Sequence, residues 1–162
     1  MIFKLFGAAL LLGFSLLVLR AYKAYLGRRK EECEGFGQII DAVRDGVDYF
    51  LSPIGRIIER FESGESMTAK FAENVKSGDS PEKAFDKIKE KLAIGREGRE
   101  ILGKFFASVG RGYKEGAVKI ADACRKKFTE YTEKTAEEDE KSAKLTTALV
   151  IGGALGLILL FI

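Results

Sequence analysis

From Leu145 to Ile162 the chain carries no charged residue. At the other end, Met1 to Leu19 is almost as apolar, with Lys4 its only charge. Each run is about 18 residues long, roughly 27 Å as a helix, against a hydrocarbon core of ~30 Å. A backbone inside lipid must bond to itself, so a segment of this kind is expected to cross a membrane as an α-helix. Lys4 lies close enough to the terminus to reach the headgroups. Two competing readings are weaker. A cleaved signal peptide needs a small-x-small site, which Ala21-Tyr22-Lys23-Ala24 matches poorly after Arg20. A buried core helix would not be apolar on every face at the chain terminus.

Lysine and arginine set the orientation. Arg20, Lys23, Arg28, Arg29 and Lys30 follow the first run, and Arg125, Lys126, Lys127, Lys134, Lys141 and Lys144 precede the second. This bias places the middle in the cytoplasm and both termini outside. The expected organisation is a transmembrane helix over 1–20, a cytoplasmic helical domain with a long C-terminal stalk helix over 21–144, and a transmembrane helix over 145–162. Ala9 with Gly13, and Gly152 with Gly156, put small residues four apart in each span. That spacing permits close helix packing, within one chain or between copies in a homo-oligomer.

Prolines occur only at 53 and 81, and no alternating β-branched run exists, so the middle is expected to be helical throughout. Phe36, Ile39, Ile40, Val43, Val47, Phe50 and Leu51 form one amphipathic stripe. Ser52-Pro53 stops it and starts a helix carrying Ile54, Ile57, Ile58 and Phe61. After the Ser63-Gly64-Glu65-Ser66 turn, Met67, Phe71 and Val75 mark a third helix. Ser77 to Lys83 is a further stop and start, with Ser80 as cap and Pro81 in the first turn. Ala84, Phe85, Ile88 and Leu92 mark the fourth helix, and Ile101, Leu102, Phe105, Phe106 and Val109 the fifth. Gly110-Arg111-Gly112 breaks the fifth. The sixth starts near Tyr113, with Ala117, Ile120, Ala121, Cys124, Phe128 and Tyr131 at near-heptad spacing. It is expected to run on, nearly unbroken, as a stiff stalk towards the second span.

The composition removes several functions. Net charge is +3, from 27 basic and 24 acidic residues, which argues against a nucleic-acid binder. Histidine is absent, and with it the commonest general base and zinc ligand. Cys33 and Cys124 stand alone, read best as small buried apolar residues in a reducing compartment. No phosphate-binding loop of the GxxxxGK[ST] type occurs. Asp41, Asp45 and Asp48 share one side of a helix and could hold a cation, but read better as a solvated acidic face. The chain is therefore expected to be no enzyme and to need no cofactor or metal. Arg28, Arg29 and Lys30, and the run Glu137, Glu138, Asp139 and Glu140, are candidate contacts for a charged partner.

The order of elements resembles the stage III sporulation protein AB family, short relatives of the platform (F) proteins of type II secretion and type IV pilus systems. Four places carry the likeness: the leading membrane helix with the arginine-rich stretch from Arg20 to Lys30; Leu51-Ser52-Pro53-Ile54 with Ile57-Ile58; Leu102 to Tyr113; and the charged helix running into Leu145 to Ile162. Val109-Gly110 stands where the family has "LG", and Gly116 stands near a usual glutamine. The resemblance implies an all-α bundle of about six helices, type II secretion F-domain-like, flanked by the two membrane helices. It also implies a scaffold in the mother-cell membrane of a spore former, within a secretion-like channel. Its implied partners are a cytoplasmic hexameric secretion-type ATPase, similar to stage III sporulation protein AA, other channel membrane proteins and the lipid bilayer. The alternative reading is a membrane-anchored structural or chaperone-like helical protein with no motor partner.

Overall fold

The computed structural model describes residues 2–49, 54–109 and 114–161. All regular structure among them is helical: α1 (Ile2–Tyr49), α2 (Ile54–Glu59), α3 (Met67–Lys76), α4 (Pro81–Ile88), a 3-10 turn (Lys89–Lys91), α5 (Arg96–Val109) and α6 (Lys114–Phe161). The expected all-α body of about six helices is what the chain forms. The membrane helix and bundle helix expected separately at the start are one helix of 48 residues. No proline falls between residues 1 and 52, and residues 20–34 are rich in helix formers. Arg28–Glu32 and Lys30–Glu34 ion pairs, one turn apart, add support there. The stalk is likewise unbroken, over 48 residues. The Ser52-Pro53 stop, the Gly110-Arg111-Gly112 break and Tyr113 lie outside the described residues, as do the side chains of Val47 and Asp48.

The chain divides into two compact units, residues 28–134 and residues 1–27 with 135–162. The larger unit is a helical bundle around a phenylalanine cluster. Phe36 of α1, Phe71 of α3, Phe85 of α4 and Phe106 of α5 all touch, every pair of centroids lying between 4.6 and 6.4 Å. Most of these rings meet tilted or edge-on, the arrangement favoured by the ring quadrupole. Phe36, Ile39, Ile40 and Val43 are fully buried, as is Phe128 of α6. Ala117 and Ala121 are small enough to let α6 approach closely.

Local chemistry sets the helix ends. Ser66 caps α3, its Oγ accepting from the Ala69 amide at 3.1 Å. At the other end Gly78 takes φ 100°, a conformation that costs glycine little. This lets Asp79 N–H reach Asn74 O and Gly78 N–H reach Val75 O, a Schellman stop. Ser80 then caps α4 with Pro81 in its first turn, as the sequence predicts.

The smaller unit consists of the first part of α1 and the last part of α6. Its large apolar residues face outward: Phe14, Leu16, Leu17, Leu145, Leu149 and Leu159 are all more than 60 % exposed. A second face is partly covered, through Leu11, Ser15 and Leu19 on α1 and Ala143, Thr147, Val150 and the buried Ala154 on α6. Two hydroxyls on these faces are satisfied within their own helix: Ser15 donates to Leu11 O at 2.8 Å and Thr147 to Ala143 O at 2.7 Å.

Candidate functional site

Among the described residues of the bundle, the buried charged side chain is Glu32, the centre of a polar knot in a largely apolar interior. Glu32 of α1 is only 3 % exposed. It sits one turn before Phe36, on the stripe that faces the core, so folding carries its carboxylate inward. There it meets the short segment Leu92–Gly95 between the 3-10 turn and α5. Glu32 Oε2 accepts from the backbone amides of Ala93 at 2.6 Å and Ile94 at 3.2 Å. Its other oxygen accepts from Arg28 Nε at 3.0 Å. The next amide, Gly95, donates to the Tyr131 hydroxyl of α6 at 2.9 Å. Arg29 Nη2 lies 3.4 Å from that same hydroxyl.

The carbonyl side of the segment is held as well. Arg28 Nη2 donates to Lys91 O at 2.5 Å, and Arg99 Nη1 to Lys89 O at 3.2 Å. Lys89 O also accepts from the Leu92 amide at 3.4 Å, and the arginines add donors to these end carbonyls of the turn. A buried carboxylate is tolerated only when its lone pairs are engaged, and three donors engage this one. Two glycines make room. A Cβ on Gly98 would stand 2.5 Å from both Ile94 Cγ2 and Tyr131 Cε1, and one on Gly95 would stand 3.2 Å from the Tyr131 hydroxyl. Beside the knot, a cleft of about 390 Å³ is lined by Arg28, Glu31, Glu32, Glu65, Ser66, Met67 and Lys70.

Of the three basic candidates, the half-exposed Arg28 and the less exposed Arg29 are engaged by this knot, and Lys30 turns outward, 3.8 Å from Glu34. In the acidic run, Glu137, Glu138 and Glu140 are exposed and Asp139 is half-buried. Glu137 lies 3.9 Å from Lys141, and Glu140 2.7 Å from Lys144. The hydrogen bond from Lys144 holds the Glu140 carboxyl below its ordinary range. Ala9, Gly13, Gly152 and Gly156 are all exposed. A Cβ added at any of the three glycines would meet nothing within 4 Å among the described residues outside its own helix backbone.

Asp41 and Asp45 each meet an arginine. Arg125 of α6 reaches Asp41 at 2.7 Å, while Arg44 of α1 reaches Asp122 of α6 at 2.5 Å and Asp45 at 3.4 Å. The two long helices are thus bridged reciprocally. Among the described residues no group of three or more His, Cys, Asp or Glu is placed to hold a metal ion. Burial pushes the Cys124 thiol up to about 12. The sequence reading missed Glu32. Its signal was register: a carboxylate one turn ahead of an apolar stripe.

Together these features define a class, an all-helical protein built on two long helices. One of them includes, within Ala9–Gly46, an 18-residue stretch of mean hydropathy 1.5, long and apolar enough to cross a membrane. The model of the family described as stage III sporulation protein AB matches residues 4–162, and the chain belongs to that family. It is thereby a sporulation-related protein. No curated protein matches the chain, and no solved structure does.

Proposed function

We propose that the chain is a membrane platform protein of a sporulation-associated, secretion-like channel. In this reading it couples a cytoplasmic ATPase, similar to stage III sporulation protein AA, to the membrane complex, and catalyses nothing itself. The observation that carries the reading is the sharing of helices. α1 and α6 each contribute one part to the bundle and another to the apolar unit. A load applied to the bundle has two unbroken helices to travel along, and a helix with discrete packing partners is a physical route for such movement. Both spans belong to the proposal. The outward leucines of α1 suit lipid, and α6 carries no charge from Leu145 onward. The cations that follow α1's apolar run and precede α6's favour a bundle on the cytoplasmic side, and the reading sets its domain boundaries at 20/21 and 144/145.

Two measurements test this. Co-purification with the ATPase in mild detergent is expected, and its failure counts against the coupling. Topology is tested with cysteines introduced singly at exposed bundle positions such as Lys83. The native Cys33 and Cys124 are buried and give little background. A membrane-impermeant maleimide added to intact cells is expected to leave Lys83→Cys unlabelled. Labelling from outside would place the bundle away from any ATPase.

A further inference from the structure

We infer that the Leu92–Gly95 segment is a cooperative latch joining α1 to α6, released as a whole when either of its two holding side chains lets go. Three consecutive amides, those of Ala93, Ile94 and Gly95, have their acceptors on side chains from two different helices. Glu32 of α1 takes the first two and Tyr131 of α6 takes the third.

The segment is four residues long and fixed at both ends, by the Lys89–Lys91 turn and by α5. Each residue has only two soft dihedrals, so in a stretch this short, held at both ends, displacing one amide strains the direction of its neighbours. The side chains enforce the same condition. Ile94 is 1 % exposed and Leu92 7 %, and Gly98 lets Ile94 and Tyr131 meet without a Cβ between them. Moving Tyr131 therefore disturbs the seat of Ile94, whose amide is bound to Glu32.

On the carbonyl side Arg28, which is half exposed, bonds both Glu32 and Lys91 O. It ties the ion pair to the turn that precedes the latch. The reciprocal bridges Arg44–Asp122 and Asp41–Arg125 join the same two helices directly, but exposed on both partners. Such pairs contribute little, which leaves the buried latch as the stronger polar tie between α1 and α6. This inference goes beyond the platform reading and does not rest on it: the latch exists whether or not a motor engages the bundle.

Hydrogen exchange on the full chain in detergent micelles tests the latch. Tyr131→Phe keeps the ring and removes the hydroxyl that accepts from the Gly95 amide and from Arg29 Nη2. It is expected to speed exchange at Ala93 and Ile94 as well as at Gly95, each about tenfold, the factor that one hydrogen bond of ordinary net strength represents. Glu32→Met keeps the length of the side chain, removes the acceptor of the Ala93 and Ile94 amides, and is expected to speed Gly95 in turn. Arg44→Ala, which cuts an exposed bridge between the same helices, is expected to leave all three amides unchanged. Acceleration confined to the amide that lost its acceptor would overturn the proposal. So would no change at all, or an equal rise throughout α3 and α5, which would make the segment part of the global core.

Discussion

The two units set one pair of helices in two different surroundings. In the bundle, α1 buries Phe36, Ile39, Ile40 and Val43 and turns Arg44 and Asp45 outward. In the other unit the same helix presents Phe14, Leu16 and Leu17 outward. Among the described residues, every exposed large hydrophobic lies between Leu10 and Tyr25 or between Leu145 and Leu159. Removal of apolar area from water gathers the bundle, while the outward apolar side chains of the other unit suit the lipid setting proposed for it. The lesson is energetic. The bundle is held by burial of apolar area and by a small polar knot, whereas in the other unit each helix satisfies its own backbone and keeps its large apolar side chains outward.

The largest expected effect lies at the centre of the bundle. Phe106 is 1 % exposed and touches Phe36, Phe71, Phe85 and Phe105. Phe106→Ala should cost about 3–5 kcal/mol, lost transfer energy plus the cavity left behind. Leu16→Ala removes a side chain that is 67 % exposed and should leave bundle stability near wild type. Denaturant unfolding in detergent micelles, followed by circular dichroism, measures both. Equal losses would break the contrast between the units.

Glycine sharpens the comparison. Gly98→Ala drives a Cβ to 2.5 Å from Ile94 and Tyr131, neither of which can yield without leaving the latch or the core. Overpacking of this kind costs about 1–3 kcal/mol. Gly152→Ala meets nothing within 4 Å and removes a poor helix former, so it should not lower the stability of the chain. If Gly152→Ala instead weakens self-association on cross-linking gels, the open glycine face is used between chains.

The bundle's helices were legible because period and punctuation agree. The stripes through Phe36, Phe85 and Phe106 have helical spacing, and Ser80-Pro81 announces a start. The fusion of α1 into one helix was less legible, since the sequence between Arg20 and Lys30 looks like a charged linker until its one-turn pairs are seen. The candidate site was legible only in part. Arg28 and Arg29 carry the charge that suits partner contacts, but their observed partners lie in the chain itself, 63 and 102 residues away for Lys91 O and Tyr131. Pairings that distant leave no local pattern. Glu32 could have been found by register, though its backbone partners could not.

Cys124 offers a subtler probe of the buried side. Its thiol is pushed from 9.0 up to about 12 by desolvation, so the folded state holds that proton where the unfolded chain releases it. The contribution is intact below pH 9.0 and is lost as pH rises from there towards about 12. Cys124→Ala should flatten the alkaline fall in unfolding free energy. Maleimide should reach Cys124 of the folded chain only slowly at neutral pH and quickly once urea opens the bundle. Prompt labelling without denaturant would show that this face of α6 is not packed.

The smallest effect on stability is expected in the acidic run of α6. Glu137 and Glu140 sit in exposed one-turn pairs with Lys141 and Lys144, where water and salt screen the charges. A variant carrying Glu137→Gln, Glu138→Gln, Asp139→Asn and Glu140→Gln should therefore unfold at the same denaturant midpoint as the wild type. Because its effect on the fold is small, its effect on function can be assigned. Co-purification of the ATPase lost with the fold intact would make the run a contact surface. Retained co-purification together with normal sporulation would reduce it to a solvated face. A clear fall in the midpoint would contradict the division drawn above, since exposed charges on this segment would then contribute to stability as buried apolar area does in the bundle.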